Sequence, residues 1–589
     1  MSWQAWYTLA VIGACFGVLS STRIASDIVM MGGLLLLLVA GVLTPADALA
    51  GFSNEGMVTI GMLYIVTSGL SQTGAMTALL PKLLGRPKTE AGAQLRLMAP
   101  VAASSAFLNN TPLVAMFIGA VSDWTKKNRI AASKMMIPLS YAAIIGGTTT
   151  LIGTSTNLVV NGLLVKETGH ASLGMFDIAV VGVPCAIAVI AFVVLTARWL
   201  LPSRQSVADT FDNARNYIVE MLVDRDSPLA GKTIEEAGLR HLPGLYLIEI
   251  ERNGVSLPAV APHERLVASD RLIFTGVVES VVDLQKIRGL TPATNQVFKL
   301  NAPTNEHCLV EAVVSDSCPL VGKTVREGRF RNVYNAAVIA VARNGEQLRQ
   351  KIGDIELKVG DTLMLLAHPN FVEQQRNSRD FYLVSSVENS QRLNHEKAGI
   401  ALAILAAMVA AVTLEWLSMF MASMVAAAAM LASGCATSTV ARRQIDWQVL
   451  LTIAASLGVG KALEKSGAAE HIAGQLITLG AGDPLIALIT IYVITVIFTE
   501  LITNNAAAAL MFPIALATAK ALGVDYMPFV IAILFAASAS FATPIGYQTN
   551  LMVYGPGGYR FTDYYRAGIP ITLVVGFITL LLIPQFWQF

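Results

Sequence analysis

Two adjacent amides inside an apolar run constrain this chain more than any other feature. FLNNTPLVAMF, Phe107 to Phe117, places Asn109, Asn110, Thr111 and a proline in a segment otherwise suited to hydrocarbon. ELITNNAAAALMF, Glu500 to Phe512, does the same with Thr503, Asn504 and Asn505 in the other half of the chain. Lipid cannot satisfy a free N–H or C=O, so interrupted backbone at membrane depth must be buried in protein or line a cavity. The chain is 54% hydrophobic and only 14% charged, against about 25% charged in soluble proteins. Much of it is therefore expected in a bilayer, where a spanning helix needs about 20 mostly apolar residues.

Composition divides the chain into an apolar part (residues 1–202), a charged and mixed part (203–396) and a second apolar part (397–589). The two apolar parts read as copies of each other. LSQTGAM (Leu70–Met76) returns as LEKSGAA (Leu463–Ala469), the doubled amide follows, and GTTTLIGTSTNLVV (Gly147–Val160) returns as SFATPIGYQTNLMV (Ser540–Val553). Each amide-bearing segment reads as too short and too interrupted to cross twice, hence as a re-entrant hairpin. Each copy then has five crossings, and an odd number makes the copies inverted, as in secondary transporters. With these spans one face collects most basic residues, among them Arg23, Lys82, Lys88, Lys126, Lys127, Arg129, Lys134, Arg198, Arg442 and Arg566. The other face has Lys166, Lys461, Lys465 and Lys520. The first is cytoplasmic by the positive-inside rule. Residues 203–396 are expected in the cytosol, both termini outside, and the chain multi-pass in the cytoplasmic (inner) membrane. The start has no basic n-region or cleavage site and reads as a retained span.

The middle part is itself duplicated at an offset of 91 residues, dividing into 203–296 and 297–396. SPLAGKTIEE (Ser227–Glu236) matches CPLVGKTVRE (Cys318–Glu327), and DRLIF (Asp270–Phe274) matches DTLML (Asp361–Leu365). Alternating β-rich runs ending in turns such as Asn253-Gly254 indicate small α+β modules. GKT here is not a phosphate loop, because Asp226 and Ser317 stand where that loop needs its first glycine. A net charge of +1 gives no argument for nucleic acid. The five cysteines form no ligand cluster, and His170, His241 and His263 have no partner at metal spacing. No nucleophile–base set marks an enzyme.

On these motifs the sequence resembles the divalent anion/sodium symporter family. Asn109-Asn110-Thr111 and Thr503-Asn504-Asn505 stand at its two hairpin-tip motifs. Gly153-Thr154-Ser155-Thr156-Asn157 and Gly546-Tyr547-Gln548-Thr549-Asn550 stand at its two broken-helix motifs, with Tyr547 where that motif carries threonine. The middle part resembles a tandem pair of TrkA-C (RCK C-terminal) regulatory modules. The resemblance implies an α-helical polytopic membrane protein with inverted repeats, two re-entrant hairpins and two broken helices, with the TrkA-C modules inserted in the cytosol. It also implies two sodium ions, one per repeat, a sliding elevator mechanism and a homodimer. The sodium sites it implies take Ser105, Asn109, Asn110 and Gly153 in one repeat, and Thr499, Thr503, Asn504, Thr543 and Gly546 in the other.

The chemistry of the motifs agrees with that. Unwound carbonyls with side-chain oxygens suit a hard monovalent cation, while helix N-termini near Thr111, Asn157, Asn505 and Asn550 offer N–H groups and positive dipole ends to an anion. Asn109, Asn110, Thr111, Thr154, Asn157, Asn504, Asn505, Thr549 and Asn550 form a neutral cradle for it. No arginine or lysine stands in the four motifs, so co-bound cations must neutralise a dianion. Paired amides also simply hold helices together; their recurrence beside a second broken motif favours a site. Glu500 reads equally as a functional carboxylate or a backbone brace. The expectation is sodium-coupled symport of a small divalent oxyanion, sulfate first. The alternatives are a C4 dicarboxylate such as succinate, or a nontransporting anion sensor; an ion channel lacks its filter sequence.

Overall fold

Side-chain caps mark where several of the apolar runs begin as helices. A computed structural model of the chain describes residues 1–21, 24–74, 84–87, 89–128, 130–204, 218–224, 227–239, 245–252, 255–258, 264–276, 287, 289–292, 308–315, 317–343, 346–348, 350, 352–367, 371, 375, 380–386 and 397–589. Arg23, Lys82, Lys88, Arg129, His241, His263, Asp226, the Asn253-Gly254 turn and the 296/297 boundary lie outside the described residues. Two compact units emerge, one from residues 1–204 with 392–589, the other from 205–391.

In the first unit the first apolar part gives α1 (Trp3–Ser21), α2 (Ser26–Val39), α3 (Pro45–Leu49), α4 (Glu55–Gln72), α5 (Glu90–Ser105), α6 (Asn110–Asn128), α7 (Met136–Gly147), α8 (Ser155–Thr168) and α9 (Ala179–Leu200). Asn54 caps α4 by accepting from Met57 N at 3.2 Å. After the second unit come α11 (Ala398–Thr413), α12 (Met419–Ala432), α13 (Ser438–Gln444), α14 (Trp447–Lys465), α15 (Ala468–Leu479), α16 (Pro484–Leu501), α17 (Asn504–Leu522), α18 (Met527–Ser538), α19 (Gln548–Tyr554) and α20 (Phe561–Phe586). Asp446 caps α14 at the place where Asn54 caps α4, accepting from Val449 N at 3.2 Å.

Among the described residues five segments are long and apolar enough to cross a membrane: Pro45–Gln72, Ala179–Leu200, Pro484–Leu501, Asn504–Leu522 and Phe561–Phe586. Two of these are the arms of the second amide-bearing segment, 18 and 19 residues long, or about 27 and 28 Å of helix. Shortness, the property from which re-entrance was expected, is therefore absent from that segment. Apolar runs flanking a polar tip extend further than the tip's own interruption implies.

Every residue of α7 and of α18 is buried, the condition of a helix apolar on all sides. α7 packs on α5, α6 and α9 and on α19 of the other half, while α18 packs on α16, α17 and α20 and on α8 of the other half. Tyr141 on α7 donates to the Phe541 carbonyl at 2.8 Å across this exchange. The final helix of each half presses on the break of its own half through a glycine. A Cβ on Gly182 would stand 2.4 Å from the Thr148 carbonyl oxygen, and one on Gly568 only 2.0 Å from that of Phe541. Lys134, only 5% exposed, donates to the Ala197 and Leu201 carbonyls at 3.1 and 2.8 Å, closing the C-terminus of α9 with a cation.

The second unit holds two five-stranded antiparallel sheets, ordered β3-β2-β4-β1-β5 and β10-β6-β9-β7-β8. Their strands are β1 (Ile218–Val223), β2 (Leu245–Arg252), β3 (Val255–Pro258), β4 (Arg271–Gly276), β5 (Leu290–Pro292), β6 (Cys308–Val314), β7 (Ala336–Arg343), β8 (Glu346–Gln347), β9 (Thr362–Ala367) and β10 (Phe381–Ser386), with a short α10 (Phe330–Tyr334) before β7. Taken from its other end, the second order is the first with each strand replaced by its duplicate. A bulge interrupts β2 against β4 at Leu247/Glu249, and another interrupts β7 against β9 at Val338/Ala340. The threonines of the two GKT strings sit in reciprocal turns: Thr233 N donates to Glu236 at 2.8 Å and Thr324 N to Glu327 at 3.2 Å.

Two predictions follow from this packing. Replacing Gly568 with alanine forces a Cβ into backbone that cannot yield, so thermal unfolding of the solubilised protein should show a loss of about 1–3 kcal/mol; Gly13→Ala, with nothing within 4 Å of its Cβ, should be neutral. Arg343 grips Asp361 through two hydrogen bonds of 2.7 Å, and the Asp361 side chain is 1% exposed. Arg343→Ala strands that carboxylate and should open the second sheet by about 3–5 kcal/mol in hydrogen exchange. Arg326→Ala breaks a pair exposed on both sides and should cost under about 1 kcal/mol.

Candidate functional site

The tip of each amide-bearing hairpin is built the same way. On α5, Ser105 donates to the Ala143 carbonyl of α7 at 2.7 Å, and its oxygen lies 2.6 Å from the Asn110 amide. With that proton committed, the Asn110 nitrogen faces Ser105 and the Ala143 and Gly153 carbonyls at 3.0 and 3.2 Å, and its oxygen accepts from the Tyr547 hydroxyl at 2.7 Å. On α16, Thr499 donates to the Ala537 carbonyl of α18 at 2.7 Å, and its oxygen lies 3.1 Å from the Asn504 amide. In both tips the hydroxyl finds its partners five and thirty-eight residues further along the chain. Asn504 is thus the counterpart of Asn110, Thr503 of Asn109 and Asn505 of Thr111. Thr503 is exposed, and its hydroxyl caps α17 by accepting from Ala506 N at 3.4 Å. Asn109, half-buried at its own tip, accepts from Leu113 N through its carbonyl at 3.3 Å.

The two breaks are equally matched. Asn157 donates to the Gly147 and Thr150 carbonyls at 3.2 and 2.8 Å, and Asn550 to those of Ser540 and Thr543 at 3.0 and 3.1 Å. Each asparagine laces its break from within, reaching ten and seven residues back. Ser140 on α7 lies 2.8 Å from Thr549 Oγ1 and 2.7 Å from Asn550 Oδ1. The hydrogen bonds of Asn157, Thr549 and Asn550 therefore run into the backbone and α7, away from the tips.

Between the halves the pairing is crossed. Thr111, of the first tip, donates to Gln548 of the second break at 3.0 Å. Asn505, of the second tip, accepts from Thr156 of the first break at 3.2 Å and lies 3.2 Å from Ser155 Oγ. Where the crossings meet, the Tyr547 hydroxyl stands 3.2 Å from Thr154 Oγ1 and hydrogen-bonds Asn110, with the Asn504 amide a further neighbour. Helices α6, α8 and α17 start here, as does α19, whose seven residues carry little dipole; each starts within two residues of one of the four N-termini expected, and Thr154 does not cap α8 with its side chain. Three positive dipole ends thus converge on a set of neutral amides and hydroxyls.

Glu500 stands in the last turn of α16, three residues before Thr503 of the second tip. It accepts from Ala542 N at 3.0 Å and from the Thr543 hydroxyl at 2.6 Å, and Thr543 Oγ1 accepts from Gly546 N at 3.0 Å. Gly546 has no room for a Cβ, which would lie within 3 Å of Ser540 Oγ, Glu500 Oε2 and Thr543 Oγ1. In the first half the Thr150 hydroxyl goes instead to the Ala106 carbonyl. The geometry of Glu500 is that of a brace on the second break.

The structure thus brings Ser105, Asn110, Gly153, Thr154, Thr499, Asn504 and, through crossed pairs, Thr111 and Asn505 into one neighbourhood. Sequence reasoning missed Ser155, Thr156, Gln548 and Ser140, and met Tyr547 only as a mismatch. The neighbouring motif asparagines were the available signal for all but Ser140, whose helix reads as uniformly apolar.

A sequence profile described as citrate transporter matches residues 16–533. A Chlamydomonas reinhardtii protein with the provisional name of sulfur deprivation response regulator is 36% identical, over 94% of this chain and 97% of its own length. An uncharacterized transporter of Synechocystis is 35% identical, over 93% and 91%. A protein of C. reinhardtii named sodium/sulfate cotransporter 1 is 28% identical, over 98% and 90%. The profile and the cotransporter names indicate a transporter, not an enzyme, and the apolar helices are those of a multi-pass membrane protein. Relatives named as sodium/sulfate cotransporters accompany the profile match, in line with the resemblance that the motifs carry, and the chain belongs to the citrate transporter family.

Proposed function

We propose that this chain is a sodium-coupled symporter of a small divalent oxyanion, sulfate first. The observation that carries the reading is the crossed network of Thr111–Gln548 and Asn505–Ser155/Thr156 around Tyr547 and Thr154. Two separately encoded half-sites there make one neutral cradle at helix N-termini. A dianion in it has no arginine or lysine from the motifs, so cations must supply the compensating charge. Two sodium sites fit the tips: Ser105, Asn109, Asn110 and Gly153 in one half, and Thr499, Thr503, Asn504, Thr543 and Gly546 in the other. Anion binding then requires the cations, and neither travels alone.

The halves are inverted repeats in this reading. A tip that touches the middle of a broken crossing helix lies at mid-depth, so each hairpin enters and returns on one side, whatever the length of its arms. Hairpins and breaks slide together as an elevator against the remaining helices. Residues 203–396 are two cytosolic TrkA-C modules that regulate the carrier and pair in a homodimer, and both termini face outward. Asn157, Thr549 and Asn550 act as braces rather than anion ligands.

The citrate transporter profile favours a second reading, transport of a di- or tricarboxylate. The relative named for the sulfur deprivation response favours a third, a sensor that does not transport. Uptake of labelled sulfate into vesicles carrying the purified protein separates them. An inward sodium gradient should raise uptake at least tenfold over potassium, and excess succinate or citrate should leave it unchanged; uptake indifferent to sodium sinks the coupling. In the same assay Asn110→Ala and Asn504→Ala each remove the amide oxygen from one of the two sodium sites and should lower the apparent sodium affinity by about tenfold or more, a loss of about 1.4 kcal/mol. Asn550→Ala should instead lower the yield of folded protein, by leaving the Ser540 and Thr543 carbonyls unpaired.

A further inference from the structure

Thr154 and Tyr547 occupy the same place in the two halves, each one residue before its post-break helix. They also touch each other, Oγ1 to Oη at 3.2 Å. Elsewhere in the site the contacts come as matched exchanges, a tip residue of one half meeting a break residue of the other: Thr111 with Gln548, Asn505 with Ser155. A residue that meets its own counterpart stands on the axis relating the halves. Among the tip and break residues whose side chains bond across the halves, asparagine is matched with asparagine, threonine with asparagine or threonine, and serine with glutamine. The axial pair alone sets a small hydroxyl against a large phenol.

Tyr547 is 9% exposed, and its hydroxyl reaches Asn110 of the opposite tip at 2.7 Å. Its ring therefore extends from the second break across to the first tip, filling volume that a second threonine would leave open on the axis. Two consequences follow from its size and chemistry. The ring shortens the cradle along the line joining the tips, and the hydroxyl puts a donor at the end of the space that remains.

We infer that Tyr547 is the size filter of the anion site: it closes one side of an otherwise two-sided cradle, so that a compact tetrahedral dianion fits and a dianion with a four-carbon chain does not. This rests on the anion-symport reading given above. When the anion enters, the phenol turns its proton from Asn110 Oδ1 to an oxyanion oxygen, which frees the Asn110 oxygen for a cation. The hydroxyl thus contributes to affinity and the ring to selectivity, and the two roles separate by substitution.

The test uses wild type, Tyr547→Phe, Tyr547→Leu and Tyr547→Thr in the full chain. Sulfate uptake in vesicles is measured with succinate as competitor, and thermal stabilisation of the purified protein by each anion in sodium is measured alongside. Tyr547→Phe should raise the KM for sulfate about tenfold and still exclude succinate. Tyr547→Thr should make succinate an inhibitor at concentrations at least tenfold below those needed for wild type, and Tyr547→Leu should fall between, carrying the test if the threonine variant does not fold. Succinate exclusion unchanged in the threonine or leucine variant overturns the inference, as does succinate stabilising wild type as well as sulfate does. If neither anion in sodium stabilises or enters with wild type, the symport reading itself falls; sodium-dependent sulfate uptake with unaltered variants removes the filter alone.

Discussion

One side-chain amide closes each broken helix, and the site exists only because it does. A helix interrupted at membrane depth exposes carbonyls that no lipid can satisfy. Asn157 and Asn550 answer this by donating both amide hydrogens back across the gap. With the carbonyls bound internally, the chain ahead of the new helix can hold an extended shape. Thr154 and Tyr547 take that shape, with φ near −138°. From there their side chains reach the opposite half. A break without its asparagine would rewind or fill with water, and either outcome removes the cradle.

The tips show the same economy. Ser105 and Thr499 each tie a hairpin arm to the carbonyl of a helix buried on every side. The amides of Asn110 and Asn504 are thereby held in place by α7 and α18, which no solvent reaches. In the proposed symporter, rigid support behind these neutral amides compensates for the lack of a fixed positive charge, because preorganised dipoles need no rearrangement to receive an anion.

The matched tips and breaks were legible in the sequence because their chemistry is local: an amide needs a hydroxyl five residues away and carbonyls ten and seven residues back, and spacing carries that information. The two duplications were legible for the same reason. What the spacing could not carry were contacts made across the two halves. Ser140 lies in a helix whose text is apolar throughout, and its value comes from Asn550 of the other half. Tyr547 departs from the motif in sequence yet joins three motif residues in space. Arm length misled differently: the flanks of the second tip are apolar over span-length runs, so length said nothing about which side they leave by. Glu500, open in sequence between function and bracing, was decided by two partners on the second break, Ala542 and Thr543.

A protein assembled from two copies of one ancestral segment has few positions where a single mutation acts on the shared centre without first being balanced by its duplicate. The Thr154–Tyr547 contact is such a position. There, in the symporter proposed above, two matched residues face one another, so drift in either is felt at once by the bound solute. A lineage can exchange cargo at that point while leaving the paired supports, and hence the stability of the scaffold, as inherited.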